Sequence, residues 1–126
     1  MWLSCLAVSL GAVIGANLRW LLGLWLNSSY HAIPVGTLVA NLAGGWLIGV
    51  LISYFSHDNA LAPEWRLFAI TGLCGALTTF STFSLEMFAA IQDGKWLMAV
   101  AGSLAHLLGS LLMVALGVYS AGLLRA

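Results

Sequence analysis

Charge is what this chain has least of: four basic and four acidic side chains among 126 residues, 6% of the total, with a formal net charge of zero. Soluble domains carry roughly 25% charged residues, so an ordinary water-facing surface is excluded. The lack of any basic excess also removes the electrostatic footprint that nucleic-acid binding needs. Cysteine is scarce too, with Cys5 and Cys74 alone. Both lie inside apolar runs, with no CxxC pair and no imidazole or carboxylate at ligand spacing, so buried unpaired thiols are expected rather than a disulfide or a metal centre. A nucleotide-binding GxxxxGK motif is missing as well, which removes ATP as a source of work.

What remains is 62% hydrophobic, with a mean hydropathy of +1.03. The composition is that of a membrane protein. Four apolar stretches, at about 2–26, 34–55, 66–91 and 96–124, each supply the ~20 residues that cross a bilayer. They are separated by Asn27 to His31, by Ser56 to Asn59 and by Gln92 to Lys95. These boundaries predict an all-α membrane protein, a single transmembrane domain over 1–126, with short loops joining antiparallel neighbours. Pro34 and Pro63 stand at or just before helix starts, where a missing N–H costs nothing. Trp2, Trp20, Trp25, Tyr30, Tyr54, Trp65, Trp96 and Tyr119 fall mostly near helix ends, as an interfacial aromatic belt requires. The first stretch contains Arg19 and lacks a basic leader and a cleavage site, so it reads as a span and not as a signal peptide.

An even number of spans puts both termini on the side of the loop holding Asp58, Glu64 and Arg66. Arg66 and Arg125 then oppose Lys95 and Arg19, and the positive-inside rule gives no orientation. Insertion both ways is open to such a chain, and so is one orientation fixed by another factor. Gly11 and Gly15, and Gly45 and Gly49, form GxxxG pairs, and Ala101, Ala105 and Gly109 extend a small-residue face in the fourth span. Four thin helices enclose little, so an oligomer is expected, most simply a two-fold dimer.

Gly72 to Glu86 places five hydroxyls and a carboxyl where a bilayer favours hydrocarbon. Such a segment survives if it is buried in protein or lines a polar path, which makes it the first candidate for function. Gly72 and Gly75 followed by Thr78 and Thr79 predict a helix that breaks near the bilayer centre, offering N–H groups on one half and carbonyls on the other. The alternative is an unbroken helix with glycine at a contact. Phe80 and Phe83 share one face, while Thr79, Thr82 and Glu86 form a hydroxyl and carboxyl rail on another. Ring edges carry positive quadrupole, so edge-on rings beside O–H donors can hold a small, partly dehydrated anion. Two phenylalanines can equally be ordinary packing.

Asn41, in the middle of the second span, suits either a helix-to-helix hydrogen bond or a pore mouth. Arg19 either snorkels or attracts anions in a vestibule, and Glu86 either ends the rail or relays protons. Ser103, His106 and Ser110 share a face of the fourth span that should meet the rail. His106 reads better as a hydrogen-bonding pore-side or interface residue than as a metal ligand, because no second imidazole or thiolate is placed to join it.

Gly11 to Trp20 is similar to a GGxxGAxxRY pattern, departing at Ala12 and Trp20. Gly36-Thr37-Leu38 with Asn41 and Gly44 matches GTLxxNxxG, and Gly72 to Phe83 matches GxxGGxTTFSTF except at Ala76. By these motifs the chain resembles the small bacterial fluoride channel family called Fluc or CrcB. The resemblance implies an antiparallel, dual-topology homodimer in the bacterial inner membrane, with two fluoride pores. It implies that Phe80 and Phe83 line the ion path, that Asn41 and Arg19 serve the vestibule, and that Thr79, Thr82, Ser84 and Glu86 form the neighbouring track, with Ser110 joining from the fourth span. It also implies a structural sodium ion at the dimer centre, held by the carbonyls of Gly75 and Thr78, and no organic cofactor. His106 stands where the family pattern leads one to expect a smaller polar residue.

Two other functions compete on the residues alone. A proton-coupled exporter of small cations, similar in size to the small multidrug resistance family, would need Glu86 as its carboxylate, since the first span carries Arg19 instead. A packing subunit of a larger complex would use the hydroxyls for helix contacts only.

Overall fold

The computed structural model describes residues 1–27, 34–57 and 61–124. Every regular element among them is helical. Helix α1 (Trp2–Leu26) ends at Asn27, whose N–H donates to the Gly23 carbonyl at 3.0 Å. The Asn27 side chain then accepts the Gly36 N–H at 2.6 Å. One residue thereby closes α1 and caps α2 (Val35–His57), satisfying a donor that helix starts leave open. Pro34 immediately precedes α2, and Pro63 opens α3 (Pro63–Arg66) as its first residue.

From α3 the chain runs without a gap into a π-helical stretch, Leu67–Cys74, and then α4 (Gly75–Leu77). Thr78 (φ −81, ψ 154) and Thr79 (φ −150, ψ 121) are extended, and α5 (Phe80–Gln92) follows. The turn to α6 (Trp96–Leu123) rests on Gly94, the one described residue with positive φ, at 73°. Lys95 N–H reaches the Ala90 carbonyl at 2.8 Å and Gly94 N–H reaches Ile91 at 3.0 Å, the paired bonds that close a helix through a left-handed glycine.

Four spans are long and apolar enough to cross a membrane: Trp2–Leu26, Val35–Ser56, Pro63–Gln92 and Trp96–Leu123. The third begins three residues earlier than the hydropathy pattern indicates, because proline is well placed at the first helical position.

The spans pack chiefly in two pairs, α1 on the π-helical stretch and α2 on α6. Glycine makes both contacts possible. A methyl on Gly11 would strike the Phe68 carbonyl, and one on Gly117 would strike the Trp46 carbonyl, with Gly49 Cα only 3.0 Å away. The GxxxG glycines are therefore spent inside the protomer. Along α6 the packed small residues are Ala99, Gly102, Gly117 and Ala121. Ala101, expected on the packed face, is exposed, because that face is set by the contacts with α2 and α5 and not by the longest run of small residues.

Cys74 is buried and Cys5 exposed, so the second thiol lies outside the core, on the outward side of α1. Large apolar side chains face outward on all four spans, and Trp2, Trp20, Trp25, Tyr54, Trp65, Trp96 and Tyr119 are among them. Tyr30, Asp58, Asn59 and Arg125, which enter the belt and orientation arguments, lie outside the described residues.

Candidate functional site

The two extended residues, Thr78 and Thr79, are held in place by side chains from other spans. Asn41 on α2 accepts the Thr79 N–H on its Oδ1 at 2.7 Å, and its Nδ2 donates to the Thr79 carbonyl at 3.1 Å. A single amide thus satisfies both backbone groups of an extended residue, which buried peptide groups require. Arg19 on α1 donates from Nε to the Ala76 carbonyl at 3.0 Å, taking the place of the Phe80 N–H that a continuous α-helix would supply. Arg19 is neither a free surface charge nor directed only at solvent; it ties α1 to the segment just before the extended residues.

The threonines complete the local arrangement. Thr79 caps α5: its Oγ1 accepts the Thr82 N–H at 3.1 Å and meets Thr82 Oγ1 at 3.1 Å and Ser81 Oγ at 3.3 Å. Thr78 Oγ1 bonds back to the Cys74 carbonyl at 2.9 Å, and its methyl sits where a methyl on Gly44 would be. In a continuous helix the N–H groups of Thr79 and Thr82 would close on the carbonyls of Gly75 and Thr78. Here both donors go to side-chain oxygens of Asn41 and Thr79. The conformational freedom of glycine is not what turns the chain, for Gly75 is helical at φ −62 and ψ −33, and Gly72 is needed because Gly11 Cα would lie 3.0 Å from a methyl there.

A cavity of about 410 Å³ opens beside this segment, lined by Asn41, Gly44, Gly45, Ile48, Thr78, Thr79, Phe80, Phe83, His106, Leu107, Ser110 and Leu111. Phe80 and Phe83 meet edge to face, with centroids 5.5 Å apart and an interplanar angle of 71°. Their surroundings differ sharply, since Phe80 is 73% exposed and Phe83 only 6%. The inner ring is stacked on His106, at 4.5 Å and 28°. His106 itself is 3% exposed and lies 2.9 Å through Nδ1 from Asn41 Nδ2.

Glu86 is not at this cavity. Its Oε1 accepts from the Thr37 hydroxyl at 2.5 Å, and its Oε2 is buried without a hydrogen-bond partner among the described residues. The rail expected from Thr79 through Thr82 to Glu86 is bonded at its first two members only. Glu86 turns to α2, and Thr37, one turn before Asn41 on the same helix, is the residue that receives it. Thr37 had a legible signal in its four-residue spacing from Asn41, but no charge or ring to single it out. Ser84 bonds the Phe80 carbonyl of its own helix at 2.8 Å. Ser110 lines the cavity with His106, whereas Ser103 lines a separate apolar groove with Trp96 and Ile91. The three polar residues of α6 therefore do not act on one surface.

The site thus joins two rings, an amide, an imidazole and hydroxyls around a backbone that has left helical geometry inside a membrane span. Comparison with known proteins matches residues 6–118 to the family described as CrcB-like protein, Camphor Resistance (CrcB). A fluoride-specific ion channel FluC of Marinobacter nauticus is 74% identical over 125 residues, covering 99% of each chain. The protein of the same name from Chromohalobacter salexigens is 55% identical over 125 residues, covering 99% of this chain and 95% of its own. That from Pseudomonas aeruginosa is 55% identical over 120 residues, covering 95% and 94%. With a match that runs through all four spans, the chain belongs to the CrcB-like protein family.

Proposed function

We propose that this chain is a passive, fluoride-selective channel that lets fluoride leave the bacterial cytoplasm through the inner membrane. The observation that carries the reading is the edge-to-face pair of Phe80 and Phe83 on a cavity that also holds the Ser110 hydroxyl. Ring edges and hydroxyl donors favour a small anion and give a large polarisable one no advantage. The names of the relatives point to the same ion. Hydrogen fluoride crosses membranes as a neutral acid and dissociates inside, so an anion path driven by the inside-negative potential needs no fuel.

The assembly we propose is an antiparallel, dual-topology homodimer with two pores, the third span being broken near the bilayer centre. Two features support a second copy here: Phe80 is 73% exposed although it belongs to the site, and Gly75, on the same span, is also exposed. A structural sodium ion fits the same place. Sodium is a hard cation that takes oxygen ligands, and the carbonyls of Gly75 and Thr78 have lost their helical donors to the side-chain oxygens of Asn41 and Thr79. Related by a two-fold axis, these carbonyls would hold the ion and be fixed by it. The exporter alternative requires a carboxylate in the substrate cavity, and Glu86 does not line it.

Purified protein in liposomes loaded with fluoride or chloride tests the reading, with efflux started by a potassium ionophore. Fluoride should leave without a pH gradient while chloride stays. Release that requires a proton gradient would replace the channel with an exporter, and silence toward fluoride would leave only a packing role.

A further inference from the structure

The hydrogen bonds around Asn41 determine where the proton of His106 sits. The Thr79 N–H can only donate, so the Asn41 atom 2.7 Å from it must be the carbonyl oxygen. The other end of the amide is then the NH2 group, which has two hydrogens and no acceptor. One goes to the Thr79 carbonyl at 3.1 Å and the other to His106 Nδ1 at 2.9 Å. Nδ1 must therefore be bare, and a neutral imidazole carries its proton on Nε2. That nitrogen is buried without a hydrogen-bond partner among the described residues. Because His106 also stacks on Phe83, it blocks one face of the ring and fixes the direction in which the ring edge points.

We propose that His106 is a positioning residue for the anion path: its bare Nδ1 takes the second Asn41 N–H and so locks the amide that clamps Thr79, while its ring holds Phe83 edge-on. This rests on the channel reading above and extends it to a side chain outside the aromatic and hydroxyl set. Without an acceptor at position 106, Asn41 keeps a buried N–H with no partner, a costly state that it relieves by letting go of Thr79. The extended backbone at the cavity wall then loses its clamp.

Two measurements test this. First, protein labelled with 15N in its histidine rings is examined by two-bond proton–nitrogen correlation near neutral pH, with His106→Asn identifying which of the three imidazoles is His106. A bare Nδ1 and a protonated Nε2 are expected; a proton on Nδ1 overturns the proposal. Second, fluoride efflux is compared for the parent, His106→Leu and His106→Asn. An Asn oxygen falls where Nδ1 was, so it restores the acceptor without the imidazole. Leu should slow efflux about tenfold or more, as expected for an unpaired buried donor, and Asn, which restores the acceptor but not the ring stacked on Phe83, should recover part of it. Unchanged flux in the Leu protein, or equal loss in both variants when both elute as the parent does, overturns it. If the Leu protein does not fold, the Asn variant and the nitrogen spectra still decide. A parent protein silent toward fluoride would sink the channel reading and leave the tautomer result standing.

Discussion

Phe80 and Phe83 are one helical turn apart yet sit in unlike places, and the difference assigns them unlike tasks. Phe83 is packed between Phe80 and His106, so its orientation is imposed by neighbours. Phe80 is largely exposed in the protomer, and its ring meets that of Phe83 edge to face. Replacing Phe80 with Ile removes the ring edge while keeping an apolar side chain that lipid or a second copy tolerates. Phe80→Ile should abolish fluoride efflux with no change in the elution volume of the detergent-solubilised protein, and unaltered efflux would eliminate the aromatic-edge mechanism. Asn41 should respond differently, because its amide serves the backbone. Asn41→Leu leaves the buried His106 acceptor and the part-buried Thr79 N–H and carbonyl without their partner, and an unpaired group costs about 1–3 kcal/mol when buried. That variant should lower the thermal midpoint in detergent as well as efflux, whereas Phe80→Ile should lower efflux alone.

At the level of elements, the site exists because a span stops being a helix for two residues and three other groups compensate for it. Arg19 holds the Ala76 carbonyl, Asn41 holds Thr79, and Thr79 caps α5. The cap should be worth about 1 kcal/mol. Thr79→Val should therefore lower the thermal midpoint, and Thr79→Ser, which keeps the hydroxyl, should restore it; equal midpoints for the two would show that the oxygen is not what matters. The pairing of spans has its own test. Gly11→Val places a branched side chain against the backbone of Phe68 and Leu73, and overpacking of that kind costs about 1–3 kcal/mol or more. Loss of monodisperse protein is expected, while Gly122→Val, with no described residue within 4 Å of the added carbon, should be neutral.

The four spans and their ends were readable from hydropathy, proline and glycine, because those signals are local. The hydroxyl-rich run was equally readable as the place where polarity is misplaced in an apolar span. The partners were not. That Glu86 would turn to Thr37, that Arg19 would reach a carbonyl 57 positions away, and that His106 would stack on Phe83 depend on how spans rotate about their axes, and a helical period fixes only relative positions within one span. The role of the glycines shifted for the same reason. Their close approaches are to other backbones, which spacing alone does not distinguish from a need for unusual backbone angles.

For the whole molecule, the question is how a chain with so little charge chooses an orientation. Lys95 is paired with Asp93 at 3.0 Å, and both are exposed in the turn between α5 and α6. With Arg19 engaged inside the protein, what is left to set orientation is Arg66 and Arg125 on one side against Lys95 on the other, an excess of one. Orientation rules act through loop lysines and arginines near span ends, and an imbalance this small should leave both orientations populated. The protomer also leaves its site open at Phe80, which an antiparallel second copy would cover. Both arguments converge on one measurement. In a Cys5→Ala, Cys74→Ala background, Asn59→Cys provides a single thiol between the second and third spans. A membrane-impermeant maleimide applied to inverted and to right-side-out vesicles should label a substantial fraction in each, and permeabilisation should label the remainder. Labelling confined to one vesicle type would mean a single orientation. The second copy would then have to be parallel, and the Gly75 and Thr78 carbonyls of two subunits would no longer be related by an axis lying in the membrane plane.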